Sequence, residues 1–206
     1  GHGKFHGLFV VVFLFLTFLF EEVIQIHKLF LLLRCQMIDP VVLVKKAYKL
    51  LKSAQKPWIL AGGGILISKA EEELLKLVEK MRIPVVTTVM GKGSIPTNHP
   101  YYIGNSGMHG KYAANIAVSE CDVLFSIGTR FNDRITGDLN EFAPNAKIVY
   151  IDIDTAAISR NVVVDVPIVA DAKLSLEKLN EWAEPKNTKH WLAEIAAWNK
   201  DNPLEM

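Results

Sequence analysis

VLFSIGTRFNDR, residues 123–134, decides the fold. Val123–Ile127 is a short run, apolar but for Ser126, the pattern of a strand buried on both faces, and such strands belong to parallel sheets. Gly128 ends it, and a loop with two arginines follows. The same grammar recurs on either side. WILA (58–61) runs into Gly62-Gly63-Gly64, and PVVTTV (84–89) into Met90-Gly91. IVYIDI (148–153) and PIVA (167–170) are the remaining runs. Helical patterns separate them. Asp39-Pro40 starts one, with Asp as N-cap and Pro at the first helical position. Val44, Ala47, Tyr48 and Leu51 line its inner face. Ser68-x-x-Glu71 has capping-box spacing and opens a second helix, with Leu74, Leu75, Val78 and Met81 inward. A third places Tyr112, Ile116 and Ala117 on one side, and Asp171 caps a fourth carrying Leu176 and Leu179. Five short apolar strands alternating with helices predict an α/β doubly wound sheet.

Composition narrows the function classes. The 206 residues are half apolar and 22% charged, so a folded core of one to two domains is expected. Net charge is +1, which leaves no electrostatic footprint for nucleic acid. Cys35 and Cys121 lie far apart, and the six histidines are scattered, so neither a disulfide scaffold nor a metal site is expected. Two free thiols suit a reducing, cytoplasmic compartment, or an organelle in a eukaryote.

Residues 1–38 read differently from the rest. Seven of the ten phenylalanines fall in the first thirty residues, and LFVVVFLFLTFLF (8–20) stops at Glu21-Glu22. A membrane helix needs about 20 apolar residues, so a membrane association is disfavoured. Lys4 ahead of an apolar stretch resembles a signal peptide, but no small-x-small cleavage site follows. An atypical leader, a buried or interface element and an anchor all stay open. The organisation read from the sequence is 1–38 as an unassigned apolar leader, 39–184 as a dinucleotide-binding domain, and 185–206 as a linker and the start of a further domain. Trp191, Ile195 and Trp198 share one helical face in that last segment and want a partner.

Ligands of parallel sheets bind at the carboxyl ends of the strands, and the chemistry-bearing residues collect there. Gly62, Gly63 and Gly64 allow backbone to approach a phosphate, although a plain turn reads the same way. Thr87-Thr88-Val89-Met90-Gly91 suits a ligand loop or a polar loop. His109, in the turn Gly107-Met108-His109-Gly110, is a donor or is merely solvated. Arg130 and Arg134 are a pair for phosphate or carboxylate, or a surface Asp–Arg pairing with Asp133. Asp152 suits ribose hydroxyls, while Asp154 suits helix capping. Together these ends describe an extended nucleotide lying across a sheet edge.

TTVMGKG (87–93), GMHG (107–110), GTRFNDRITG (128–137), FAPNAKIVYIDID (142–154) and VDVPIVADAK (164–173) closely resemble the central domain of the acetohydroxyacid synthase (acetolactate synthase) catalytic subunit. The resemblance covers about residues 40–183. It implies a Rossmann-like, mostly parallel six-stranded sheet that holds FAD. It also implies a larger enzyme that uses thiamine diphosphate and Mg2+ to condense pyruvate with a second 2-ketoacid in branched-chain amino-acid synthesis, without net flavin redox. Such an enzyme is a homodimer or tetramer, with a regulatory subunit as a further partner.

Carried over by motif, Gly62, Gly63 and Gly64 contact the phosphate–ribose region. Thr88, Val89, Met90, Met108 and His109 line the flavin half. Gly128, Thr129 and Arg130 hold the pyrophosphate, Asn132 is a further cofactor-binding position, and Asp152, Ile153 and Asp171 lie toward the adenosine. Met108, Asp133 and Arg134 match the substrate channel, with Arg134 facing a ketoacid carboxylate. Asn132 departs from the family's aspartate, Ala170 from its glycine, and Ala157 from a commonly polar residue. These 206 residues contain no thiamine-diphosphate motif and no catalytic glutamate region, so the chain by itself is expected to be inactive, with no catalytic residue and no metal ligand of its own. Two other classes remain as alternatives. One is a stand-alone NAD- or FAD-binding domain of sirtuin-like or electron-transfer-flavoprotein-like type, and the other is an interaction module docking through the apolar leader.

Overall fold

A computed structural model describes residues 39–202. The apolar leader read over 1–38 lies outside the described residues. The chain runs α1 (Pro40–Ser53), β1 (Pro57–Ala61), α2 (Gly64–Ile67), α3 (Glu71–Met81), β2 (Val85–Thr87), β3 (Tyr102–Asn105), α4 (Tyr112–Glu120), β4 (Val123–Ile127), α5 (Asp133–Thr136), β5 (Lys147–Asp152), β6 (Val166–Val169), α6 (Ala172–Trp182) and α7 (Lys189–Asp201). The six strands form one sheet in the order β3-β2-β1-β4-β5-β6. Every pairing is parallel, including β4 with β5, where Val123 faces Lys147 and Ile127 faces Ile151. The doubly wound reading therefore holds.

Alternation along each strand divides the core into two layers. Ile59, Ala61, Val85, Phe125, Ile127, Val149, Ile151 and Ile168 join Val44, Leu51, Leu74, Leu77, Leu176 and Leu179 in one cluster, so this face is covered by α1, α3 and α6. Trp58, one residue out of phase, packs edge-on against Trp191 of α7 with ring centroids 6.1 Å apart. That second face is covered by α4 and α7, which contact each other.

Several local readings are corrected. The edge strand β3 was not among the five runs. YIGN carries two polar residues, Gly104 has φ +123°, and the register to β2 shifts between Val85 and Val86. A continuous apolar run is the signal of a central strand, not of this edge. Ser68 does not cap α3. Its hydroxyl donates to the Gly64 carbonyl at 2.8 Å and closes the preceding turn, while Ala70 occupies the cap position with no side-chain bond. Leu77, not Leu75, belongs to the fully buried face of α3. In α4 the buried positions are Ala113, Ala114, Ala117 and Val118, leaving Tyr112 exposed. The small alanines let this helix lie close, so bulk was a poor guide to its inner face. Asp39 and Asp171 do cap α1 and α6, accepting from the Val41 and Leu174 amides at 2.9 and 3.1 Å.

The tryptophan face of α7 finds its partner within the described residues. Trp191 is buried, donates Nε1–H to the Pro57 carbonyl at 3.1 Å, and meets Trp198 in a T-shaped contact.

Candidate functional site: the carboxyl edge of the sheet

Strand order 3-2-1-4-5-6 reverses direction between β1 and β4, and ligands of such sheets bind outside the carboxyl ends at that reversal. Gly62-Gly63-Gly64 and Gly128-Thr129-Arg130 are the loops that meet there. Their glycines are required by each other. A Cβ on Gly62 would stand 2.1 Å from the Gly128 carbonyl oxygen, and one on Gly64 would stand 2.6 Å from the Gly128 Cα. Gly128 itself sits at φ +57°. The Gly62 amide donates to the Ile127 carbonyl at 2.9 Å, and the Gly64 amide to the Gly128 carbonyl at 3.0 Å. These two N–H groups are spent within the fold.

Beyond β2, Thr88 is buried, and its hydroxyl accepts the Gly91 amide at 3.1 Å, starting a 3-10 turn over Val89–Gly91. That turn leaves Val89 and Met90 exposed, Met90 at 75%. Beyond β3, Met108 is also exposed, with His109 beside it on the same turn. The Met108 amide donates to the Arg134 carbonyl at 2.8 Å, and Arg134 Nη1 approaches Met108 Sδ at 3.4 Å. The structure thus brings Met108 and Arg134 together. A cavity of about 270 Å³ opens beside them, lined also by Asn115, Ile135, Asp138 and Phe142. Asp133 pairs loosely with its neighbour Arg134 at 3.8 Å, and both are exposed.

Beyond β4, Thr129 is turned inward. Its hydroxyl meets Ser126 Oγ, and its carbonyl accepts the Tyr150 hydroxyl. Arg130 and Asn132 are exposed, and the Asn132 amide donates to the Arg130 carbonyl at 2.8 Å. Beyond β5, Asp152 Oδ1 accepts the Asp154 amide at 2.9 Å, and Oδ2 lies 3.1 Å from the Tyr150 hydroxyl. Ile153 is 69% exposed. Asp171 stands at the start of α6, beyond β6.

Sequence reasoning missed Tyr150, Ser126, and the triad Thr87, Tyr102 and Asn105, whose side-chain oxygens lie 3.0–3.1 Å apart at the β2–β3 edge. For Tyr150 a signal existed. In IVYIDI it lies two residues before Asp152 and so shares its face of the sheet. Burial, and next the Asp152 charge, push the Tyr150 pKa up from its ordinary value, so the phenol remains a donor. Among the described residues, no group of three or more His, Cys, Asp or Glu side chains is placed to hold a metal ion, and no helix is long and apolar enough to cross a membrane.

Residues 44–179 match the family profile described as "Thiamine pyrophosphate enzyme, central domain". The chain is 53% identical over 171 residues to a probable acetolactate synthase large subunit of Methanococcus aeolicus, covering 77% of this chain and 28% of that protein. It is 55% identical over 155 residues to the probable acetolactate synthase large subunit of Methanocaldococcus jannaschii, covering 74% of this chain and 26% of that protein. It is 45% identical over 166 residues to the acetolactate synthase large subunit of Buchnera aphidicola subsp. Schizaphis graminum, covering 79% and 29%. The chain thus spans less than a third of the length of these relatives, and the sirtuin-like, electron-transfer and docking-module readings are not favoured. With a profile match across most of the described sheet and these relatives, the chain belongs to the thiamine pyrophosphate enzyme central-domain family.

Proposed function

We propose that this chain forms the FAD-binding central domain of an acetolactate synthase large subunit, over residues 39–184, with 185–206 leading toward the next domain. The observation that carries the reading is the order of side chains along the carboxyl edge. Strand order places exposed Met108, Val89 and Met90 on the β3–β2 side, Arg130 at the reversal, and Asp152 and Asp171 on the β5–β6 side. Apolar, cationic and acidic groups in that sequence suit a flavin ring, a pyrophosphate and ribose hydroxyls. At about 4.8 Å per strand, β2 to β6 spans roughly 19 Å, enough for a dinucleotide in extended pose.

On this reading Met90 and Met108 pack the ring, and His109 flanks it. The Gly62–Gly64 and Gly128 floor lets the phosphate–ribose region approach. Arg130 pairs with pyrophosphate oxygens, and Asp152 and Asp171 accept ribose hydroxyls. When bound, FAD contributes no net redox to the condensation. Arg134, beside Met108, faces the carboxylate of a 2-ketoacid entering along the cavity beside them, with Asp133 adjacent. Thiamine diphosphate, Mg2+, subunit association and any regulatory partner belong to the whole protein, which would work in the cytoplasm or an organelle. Calorimetric titration tests the domain assignment. FAD is expected to bind the 206-residue chain and NAD to give no heat. Preference for NAD would replace the reading with a nicotinamide one.

A further inference from the structure

Tyr150 is buried at the floor of the proposed site, and its single hydroxyl proton stands between two acceptors. One is the carbonyl of Thr129, in the loop after β4. The other is Asp152 Oδ2, at the end of β5, 3.1 Å away. The ring is packed against Phe131, with centroids 5.0 Å apart, so the hydroxyl cannot swing out. Asp152 is fixed at its other oxygen by the Asp154 amide. A carboxylate has about four lone-pair sites, so two remain for a ligand. Removing the hydroxyl would leave a buried carbonyl without this donor and release one side of Asp152.

We propose that Tyr150 is a positioning residue of the dinucleotide site, joining the loop that carries Arg130 to the carboxylate of Asp152 so that the pyrophosphate-facing and ribose-facing groups are held at one spacing. The inference rests on the FAD reading above. It adds that the two halves of the site are coupled through a side chain that touches neither half of the ligand.

The test compares wild type, Tyr150→Phe, Asp152→Asn and the double variant in the full chain. Binding of FAD, ADP and riboflavin is measured for each, with urea unfolding alongside. Tyr150→Phe should weaken FAD and ADP about tenfold to a hundredfold, the worth of one hydrogen bond to a charged group. Riboflavin, which lacks the pyrophosphate and adenosine, should bind unchanged. In the Asp152→Asn background the same change should add much less, because the shared partner is already altered. If wild type binds FAD and Tyr150→Phe binds it equally well, the positioning role is overturned while the FAD reading stands. If riboflavin weakens in parallel with ADP, the tyrosine is a general packing residue and the role is likewise overturned. If wild type binds neither FAD nor ADP, both the reading and the inference fall.

Discussion

The two ends of the sheet are built on opposite principles. At the amino end, side chains close the fold onto itself. The Asp122 carboxylate accepts the amides of Gln55 and Lys56, and Asp165 accepts the Ile148 amide at 2.9 Å and Lys147 Nζ at 3.0 Å. Trp191 reaches the Pro57 carbonyl, and Thr188 the Arg82 carbonyl. Desolvation there lowers the Lys186 pKa, and its ammonium donates to the Lys52 carbonyl at 2.7 Å. At the carboxyl end, Ile67, Val89, Met90, Met108, Ile153 and Leu174 all stand exposed, and Arg130 is exposed too. Exposed apolar side chains gathered at one edge mark a surface meant to be covered. Polar groups consumed by the backbone mark one that is finished. The amino end should therefore govern stability, and the carboxyl end binding.

The sharpest way to break this division is Trp191→Ala. It removes a buried indole, its bond to Pro57 and its contact with Trp58. Unfolding free energy should fall by about 3–5 kcal/mol, the range for large-to-small changes in cores. FAD affinity of the molecules still folded should stay within twofold. A large change in affinity at equal folding would join the two ends. Arg130→Ala is the reciprocal case. It should weaken FAD by about 1.5–3 kcal/mol through loss of a charge-assisted pair, while stability moves by less than about 0.5 kcal/mol. Arg134→Ala should leave FAD binding nearly unchanged, because its proposed partner is the ketoacid. Calorimetry on both arginine variants separates the roles, and equal losses would merge them.

Alkaline unfolding sharpens the comparison further, since each end holds one buried neutral acid. Burial pushes up the Cys121 thiol, which precedes β4, and burial followed by Asp152 pushes up Tyr150 near the end of β5. A group whose pKa is higher folded than unfolded contributes stability fully below its unfolded value and loses it as pH rises toward the folded one. With ordinary values of about 8.5 for Cys and about 10 for Tyr, stability should decline above about pH 8.5 and more steeply above about 10. The slope approaches, at most, about 1.4 kcal/mol per pH unit per group. Urea midpoints across pH should show Cys121→Ala flattening the first limb and Tyr150→Phe the second. A modest gain in stability belongs to Ser159, which is held at φ +54° with a buried hydroxyl that finds no partner. Ser159→Gly relieves both and should stabilise by about 0.5–1 kcal/mol, seen as a raised melting temperature.

The same division explains what could be read from the sequence. Central strands declared themselves, because WILA is apolar throughout and VLFSI is apolar but for Ser126, as burial on two faces demands. Strand-end glycines, hydroxyls and charges point to the carboxyl edge from the sequence alone. What escaped was set by tertiary contact. YIGN is a strand only because β2 offers it an edge, and Ser68 closes one turn while its spacing advertised the cap of the next. The alanine face of α4 is buried because small residues permit approach. The reason for the glycines was also hidden, since no local pattern says that Gly62 and Gly64 face the backbone of Gly128, far along the chain.

That mutual contact has a kinetic consequence. Amides in the turns of a binding cleft ordinarily exchange with solvent quickly, because loops open locally at little free energy. Here the Gly62, Gly64 and Gly128 amides are each bonded to a carbonyl of a neighbouring strand or its extension, at 2.9–3.0 Å. They should exchange as slowly as the central strands, and in step with one another. A floor that opens only when the sheet opens has no ordering left to do when a ligand arrives. Association should then follow a single phase linear in ligand concentration, with the dissociation rate carrying the differences among variants.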